Sequence, residues 1–204
     1  MTTTAEPTTL RPIDRDAREA LFTSARTINT FADTPVTDQE LTDVWELARW
    51  APTAANFQPL RVTYVRTLEG QQKLASFMAE GNQEKTAAAP AVAILSADHG
   101  FFEHIPTILP FRAELKDVFA ANPEMAAAAA TNNSWLQAGY FILAVRAMGL
   151  AAGPMGGFDA AAIDAEFLDE GRHTVMVVNI GHPGEGAWRD RLPRLDHSDV
   201  IGWA

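Results

Sequence analysis

Thr174-Val175-Met176-Val177-Val178-Asn179-Ile180 is an unbroken, β-branched apolar run of strand length. A strand of this kind has no polar side to give to water. It belongs at the centre of a sheet, with packing on both faces, and the rest of the chain must supply that cover.

The cover is helical. From Glu124 through the alanine run to Leu136, Tyr140, Leu143, Ala144 and Ala147, helical propensity is high and the apolar spacing is close to 3.6, with Gly149 placed as a C-terminal cap. Thr37-Asp38-Gln39-Glu40 reads as a capping box opening a helix to about Trp50, which Pro52 stops. Further helices are expected over about Gln71–Ala79 and Asp159–Phe167. Arg61–Arg66 and Ala91–Leu95 are strand candidates, the second weakened by its alanines. Asp98–Pro123 has prolines and phenylalanines without one period, which predicts short helical pieces over a pocket or against a second subunit. The order is that of a helix-rich α+β chain. At 204 residues, 47% of them hydrophobic, one domain over 1–204 is expected, with 1–20 as an N-terminal extension or helix.

Composition narrows the function. Without cysteine there are no disulfides, thiolate nucleophiles or sulfur-held clusters, so redox chemistry must ride on a cofactor. A formal charge of -10 argues against nucleic-acid and anionic-membrane partners. The first ten residues have no apolar leader pattern, and no later stretch is long and apolar enough to span a bilayer, so a soluble cytoplasmic protein is expected. His99, His104, His173, His182 and His197 lack paired metal-ligand spacing, so no metal is expected; His99 or His104 remains a possible proton donor. There is no Gly-x-Ser-x-Gly elbow, P-loop or dinucleotide glycine pattern.

Four places can carry chemistry. Pro52-Thr53-Ala54-Ala55-Asn56 is a loop of small residues that lets backbone amides approach a planar ring, although an ordinary turn reads alike. Asn82 and Lys85 lie one helical turn apart and can point into one site, or Lys85 is a solvated surface lysine. Pro154-Met155-Gly156-Gly157-Phe158 reads as a second such loop, or as a plain glycine turn. Arg189, Arg191 and Arg194 form a basic cluster suited to phosphate, with surface pairs to Asp190 and Asp196 as the rival explanation. Asn133–Gln137 is read as the opening of the long helix, with Ser134 as a cap and Trp135 as core.

Ala48–Pro59, Gly149–Asp159 and Arg191-Leu192-Pro193-Arg194 together resemble the nitroreductase family, over about Leu21–Leu195. Gly81-Asn82-Gln83-Glu84-Lys85, Gly153–Asp159 and the Arg-Leu-Pro-Arg ending are most similar to its malonic semialdehyde reductase branch. The resemblance implies a mixed, mainly antiparallel sheet flanked by helices, in an entwined homodimer with two FMN sites at the subunit interface. NADPH or NADH is implied as a transient co-substrate, in ping-pong hydride transfer through flavin N5. Where the family carries Arg-x-Ser-x-Arg, this chain has Ala25-Arg26-Thr27-Ile28-Asn29. Thr27 matches the hydroxyl, Asn29 replaces a charge, and Arg26 is displaced by one position. Pro52, Thr53, Ala54 and Asn56 are implied flavin contacts. Asn82 and Lys85 are implied at the pyrimidine edge, where Lys85 supports the reduced form; Pro154, Met155, Gly156 and Gly157 are implied near N5, and Arg189 and Arg191 at the phosphate, Arg191 first. No side chain is implied as a certain catalyst. The substrate implied is small and electron-poor: malonic semialdehyde going to 3-hydroxypropanoate, or a quinone or nitroaromatic. Arg112 or Lys116 is a candidate for holding a substrate carboxylate. An FMN storage or sensor protein, and an interaction domain without cofactor, are the other readings.

Overall fold

The computed structural model describes residues 10–204. Its four strands, β1 (Leu60–Val65), β2 (Ala91–Asp98), β3 (Ala151–Met155) and β4 (Arg172–Gly181), form one sheet in the order β1-β2-β4-β3. Every pairing in it is antiparallel. The run around Thr174–Ile180 lies inside the sheet as β4, buried continuously from Val177 to Gly181. Val178 and Ile180 face one layer of core and Val177 the other, so both faces are covered.

On the first face lie α2 (Asp38–Ala48) and the long α7 (Pro123–Ala147). α7 presents Ala126, Ala130, Ala138 and Ala144 inward, and β2 meets that layer with Ala91, Ala93 and Ala97. Small residues on both sides let helix and sheet approach closely, which is the physical use of the alanines that depress β2's strand propensity. Phe57, Phe101 and Phe119 fill the wider end with ring centroids 5.0 to 5.1 Å apart. The second face is covered by α3 (Leu68–Ser76) and α8 (Ala160–Phe167), through Leu74 and Ile163 against Val92, Ile94 and Val177. α4 (Glu80–Ala87) follows α3 directly.

The caps explain the boundaries. Glu40 N–H donates to Thr37 Oγ1 at 3.2 Å and Thr37 N–H to Glu40 Oε2 at 2.7 Å, which completes the capping box of α2. That helix closes at Ala48, short of Trp50. α3 starts at Leu68, ahead of the expected Gln71, because the Thr67 hydroxyl accepts from Gly70 N–H at 3.1 Å. β2 runs beyond Leu95 to Asp98 across a register shift between Leu95 and Ser96. The stretch 98–123 breaks into short helical pieces as expected, including α5 (Ile105–Ile108) and α6 (Leu115–Ala120). Of the expected N-terminal extension, 1–9 lie outside the described residues; α1 (Arg15–Arg18) continues through a π-helical turn to Thr23. α9 (His197–Val200) lies near the other end.

Three expectations are corrected. Pro154 and Met155 are not in a loop but end the edge strand β3, Pro154 opposite Val178. An edge strand leaves one side of its backbone unpaired, so proline costs it no ladder bond. Ser134 is not a cap: it sits in the middle of α7, buried against the sheet. Trp135 is 47% exposed and not core. Among the described residues no helix is long and apolar enough to cross a membrane, and no group of three or more His, Asp or Glu is placed to hold a metal.

Candidate cofactor site

The segment after β4 folds back along the chain before α2. Ile28 N–H donates to Ala152 O at 3.3 Å, Asn29 N–H to Ala187 O at 3.1 Å, Ala32 N–H to His182 O at 2.9 Å, and Gly184 N–H to Thr30 O at 3.1 Å. This ladder sets Arg26, Thr27 and Asn29 beside Arg189 and Arg191, although Arg26 and Arg189 are 163 residues apart in sequence. Arg26 Nη1 donates to Arg189 O at 3.0 Å. Arg191 Nη2 donates to Thr23 O at 2.6 Å and Ala25 O at 3.1 Å. Together they line a cavity of about 270 Å³. A second cavity of about 390 Å³ shares Asn29 and Arg189 with the first and adds Gly81, Glu84 and Lys85.

α4 is locked to the end of β3. Ala79 N–H and Asn82 Nδ2 both donate to Gly157 O, at 2.9 and 3.3 Å, and Asp159 N–H donates to Phe77 O at 2.8 Å. A Cβ on Gly157 would stand 3.2 Å from Ala79 Cβ and 3.3 Å from Asn82 Nδ2, tighter than side chains ordinarily pack, so glycine here serves the seating of α4. Around Gly156 a Cβ would meet nothing, and the amides of Gly156 and Gly157 donate to no protein acceptor among the described residues. The far end of α4 is held from the central strand: Asn179, fully buried on β4, donates through Nδ2 to Lys85 O at 3.1 Å. Burial first, and the charge of Arg189 second, push the Lys85 ammonium below the ordinary lysine range.

The electrostatics set this region apart. Elsewhere most cations are paired, among them Arg61 with Asp98 at 2.8 Å, Arg172 with Asp169 at 2.9 Å, Lys73 with Glu166 at 3.5 Å, and Arg66 with Asp38; the exceptions are Arg11 and Arg18, near the start of the described residues. Arg26, Lys85, Arg146, Arg189, Arg191 and Arg194 have no carboxylate partner among the described residues. The rival explanation for Arg194 is not realised: its Nη1 donates to Leu192 O and Pro193 O, while Asp196 caps α9 and pairs with His197 at 2.9 Å. Arg146, in the last turn of α7, donates to Leu21 O at 3.1 Å, and burial and the neighbouring Arg191 charge push its pKa down. In a chain of net charge -10, the unpaired Arg26, Arg189, Arg191 and Arg194 around one cavity and Lys85 and Arg189 around the adjoining one make this the region most favourable to an anion.

The Pro52 loop stands apart. Ala55, Asn56 and Gln58 have φ of 43°, 58° and 46°, a left-handed run without glycine that the surroundings must enforce. Asn133 Oδ1 accepts from Ala54 N–H at 2.7 Å, Thr53 Oγ1 from Gln58 N–H at 3.2 Å, and Ile108 O from Asn56 Nδ2 at 3.0 Å. No hydrogen bond among the described residues joins this loop to the cation cradle, and none of its residues lines either of the two cavities. Asn133 and Arg146, which tie α7 to loop and cradle respectively, are about 20 Å apart along the helix axis. The chain therefore brings Arg26, Thr27, Asn29, Asn82, Lys85, Gly156, Gly157, Arg189 and Arg191 together, with Pro154 and Met155 on the adjoining strand, and leaves Pro52, Thr53, Ala54 and Asn56 elsewhere.

Arg112 pairs with Glu114 at 2.5 Å and Lys116 with Glu103 at 2.7 Å, and neither lines the two cavities. His99 lies at the far end of the sheet, its ring 4.2 Å from that of His173. Sequence reasoning missed the supporting roles of Asn133, Arg146 and Asn179. Asn179 carried a usable signal, as the one amide in an apolar central strand.

Residues 23–182 match the sequence model of the Nitroreductase family. A Streptomyces coelicolor protein provisionally named an NADH dehydrogenase/NAD(P)H nitroreductase is 57% identical over 193 residues, covering 94% of this chain and 96% of its own. A Leptothrix cholodnii protein of the same name is 48% identical over 185 residues, covering 90% and 94%. A solved nitroreductase-type structure from Exiguobacterium sibiricum, in complex with FMN, superposes with a TM-score of 0.82 at 21% identity, over 97% of this chain and all of that one, 100%. A nitroreductase family structure from Streptococcus pneumoniae superposes with a TM-score of 0.79 at 20% identity, over 90% and 98%.

Proposed function

The chain belongs to the nitroreductase family, and from that premise we propose that it is an FMN-dependent NAD(P)H oxidoreductase acting on small electron-poor substrates. The observation that carries the proposal is the run of unpaired cations, Arg191, Arg26, Arg189 and Lys85, around two connected cavities beside the unsatisfied amides of Gly156 and Gly157. FMN has the matching parts: a phosphate dianion at one end, and at the other a ring whose pyrimidine edge gains negative charge on reduction and whose N5 accepts a hydrogen bond. When bound, FMN supplies a two-electron carrier that takes hydride from NADH or NADPH and passes it on after the oxidised nucleotide has left.

The protein's own residues hold and polarise. Arg191 and Arg26 present guanidinium groups to the phosphate, and Thr27 adds a hydroxyl. Lys85, with Asn82 and Asn29, offers positive charge and amide donors to the pyrimidine edge, from a helix whose position is already fixed by the bonds of Asn82 to Gly157 O and of Asn179 to Lys85 O. Gly156 and Gly157 offer backbone N–H groups, with Pro154 and Met155 on the adjoining strand.

A second copy of the chain completes the site in this proposal. The Pro52–Asn56 loop is built like a ligand-facing loop but lies away from its own chain's cradle, and the helix that holds it exposes Trp135, Leu136 and Tyr140. A homodimer packed through that face brings each loop to the partner's cradle.

Within the substrate class, malonic semialdehyde reduced to 3-hydroxypropanoate is the first choice, from the sequence similarity to that branch. The names of the curated relatives favour a second reading, a broad nitro or quinone reductase. Steady-state turnover of FMN-loaded protein with NADH and NADPH on malonic semialdehyde, quinones and nitroarenes separates them. A kcat/KM for the semialdehyde far above the others supports the first reading, comparable values on quinones and nitroarenes the second, and no turnover at all a protein that stores or senses FMN.

A further inference from the structure

The two cavities of the cradle meet along Asn29 and Arg189, and Arg189 is the only cation lining both. Arg191 borders the first alone, where its guanidinium is tied to Thr23 O and Ala25 O. Arg189 is anchored differently. Its backbone carbonyl accepts from Arg26 Nη1, while its own side chain is exposed and makes no hydrogen bond or ion pair among the described residues. Across the second cavity stands Lys85, near enough for the Arg189 charge to oppose its own. Glu84 lines the same cavity and pairs with no cation among the described residues, and Asn29 contributes an amide and no charge.

With Asn29 neutral, Lys85 and Arg189 are the two cations lining the second cavity, and the Arg189 guanidinium is unengaged among the described residues. We propose that Arg189 is the second cation of the flavin's pyrimidine edge, acting across the cavity from Lys85, and that the phosphate is left to Arg191 and Arg26. The inference rests on the FMN reading of the site. Two positive charges facing that edge stabilise the anionic reduced ring more than the neutral oxidised one, so Arg189 holds the midpoint potential of bound FMN up. A phosphate ligand changes how tightly FMN binds, with little effect on the difference between the two redox states.

The experiment compares Arg189→Gln, Arg189→Lys and Arg191→Gln in the full chain, measuring FMN and riboflavin binding by flavin fluorescence and the midpoint potential of bound FMN by equilibration with a reference dye. Arg189→Gln is expected to lower the potential and to weaken FMN and riboflavin alike, about tenfold, as for loss of a charged hydrogen-bond donor. Arg189→Lys is expected to restore the potential, and Arg191→Gln to weaken FMN while leaving riboflavin affinity and the potential of residual bound FMN unchanged. An Arg189→Gln protein that binds FMN more weakly at an unaltered potential makes Arg189 a phosphate ligand and overturns the proposal. Wild-type protein that takes up no FMN overturns the cofactor reading itself, a separate outcome visible before any variant is made.

Discussion

Lys85 reaches its place through two contacts that involve no charge: Asn82, three residues before it, holds Gly157, and Asn179 on β4 holds its carbonyl. The residue is half-buried, and burial makes its charge both costly and effective. Replacing it with glutamine keeps a polar side chain, though a shorter one, and removes the charge. The rate at which NADH or NADPH reduces bound FMN in Lys85→Gln is expected to fall about 100-fold, the usual scale for losing one preorganised donor, when followed by stopped-flow absorbance. An unchanged rate makes Lys85 a surface lysine. At this scale much of the cradle was legible, because Asn82, Lys85, Gly156, Gly157 and Arg191 lie in short motifs. Asn133 and Arg146 were not: they act through contacts with Ala54 and Leu21, distant in sequence, and no local pattern reveals such ties.

α7 was recognised from propensity and spacing, but which of its residues face inward depends on the sheet beneath it. Ser134 shows the difference. Its Oγ is buried in the middle of the helix without a hydrogen-bond partner among the described residues. Ser134→Ala is expected to raise stability by up to about 1 kcal/mol, since it removes an unsatisfied hydroxyl and improves helix propensity. Thermal unfolding checks this, and a lowered Tm means that the hydroxyl has a partner. β3 escaped sequence reasoning because Gly153 and Pro154 read as turn residues; only pairing with β4 makes an edge strand of them. At the other end of the sheet, His99 extends from β2 against His173 on β4. Burial lowers the His99 pKa first, with the His173 ring adding to it against Asp98 and Asp164. A base whose folded pKa lies below its unfolded value, about 6.5, binds fewer protons folded than unfolded, so stability is lost as pH falls below that value. The Tm of the wild type is therefore expected to drop more between pH 7.5 and 5 than that of His99→Phe, which keeps a stacked ring and cannot titrate. Equal drops exclude His99 as the cause.

For the whole molecule, the sheet order and the separation of loop from cradle converge on one requirement. α7 fixes the Pro52–Asn56 loop near its middle and the cradle near its end, so in the proposed reading a single chain presents two half-sites. Leu136 and Tyr140, one turn apart on the exposed side of α7, are 43% and 42% accessible. Changing both to glutamate is expected to weaken self-association by about 2 kcal/mol or more and to cost FMN affinity, with helical content retained. Sedimentation velocity, circular dichroism and flavin titration on one preparation test this; a monomeric variant binding FMN as the wild type does contradicts the shared site. None of this was readable from composition or periodicity, which describe one chain.

The most direct test of the central claim is anaerobic mixing of FMN-loaded protein with NADH or NADPH, watched at the flavin absorbance. The account predicts one FMN per chain, bleached by at least one of the two nucleotides and restored when an electron-poor acceptor follows. Protein that holds no FMN, or FMN that neither nucleotide bleaches, contradicts it.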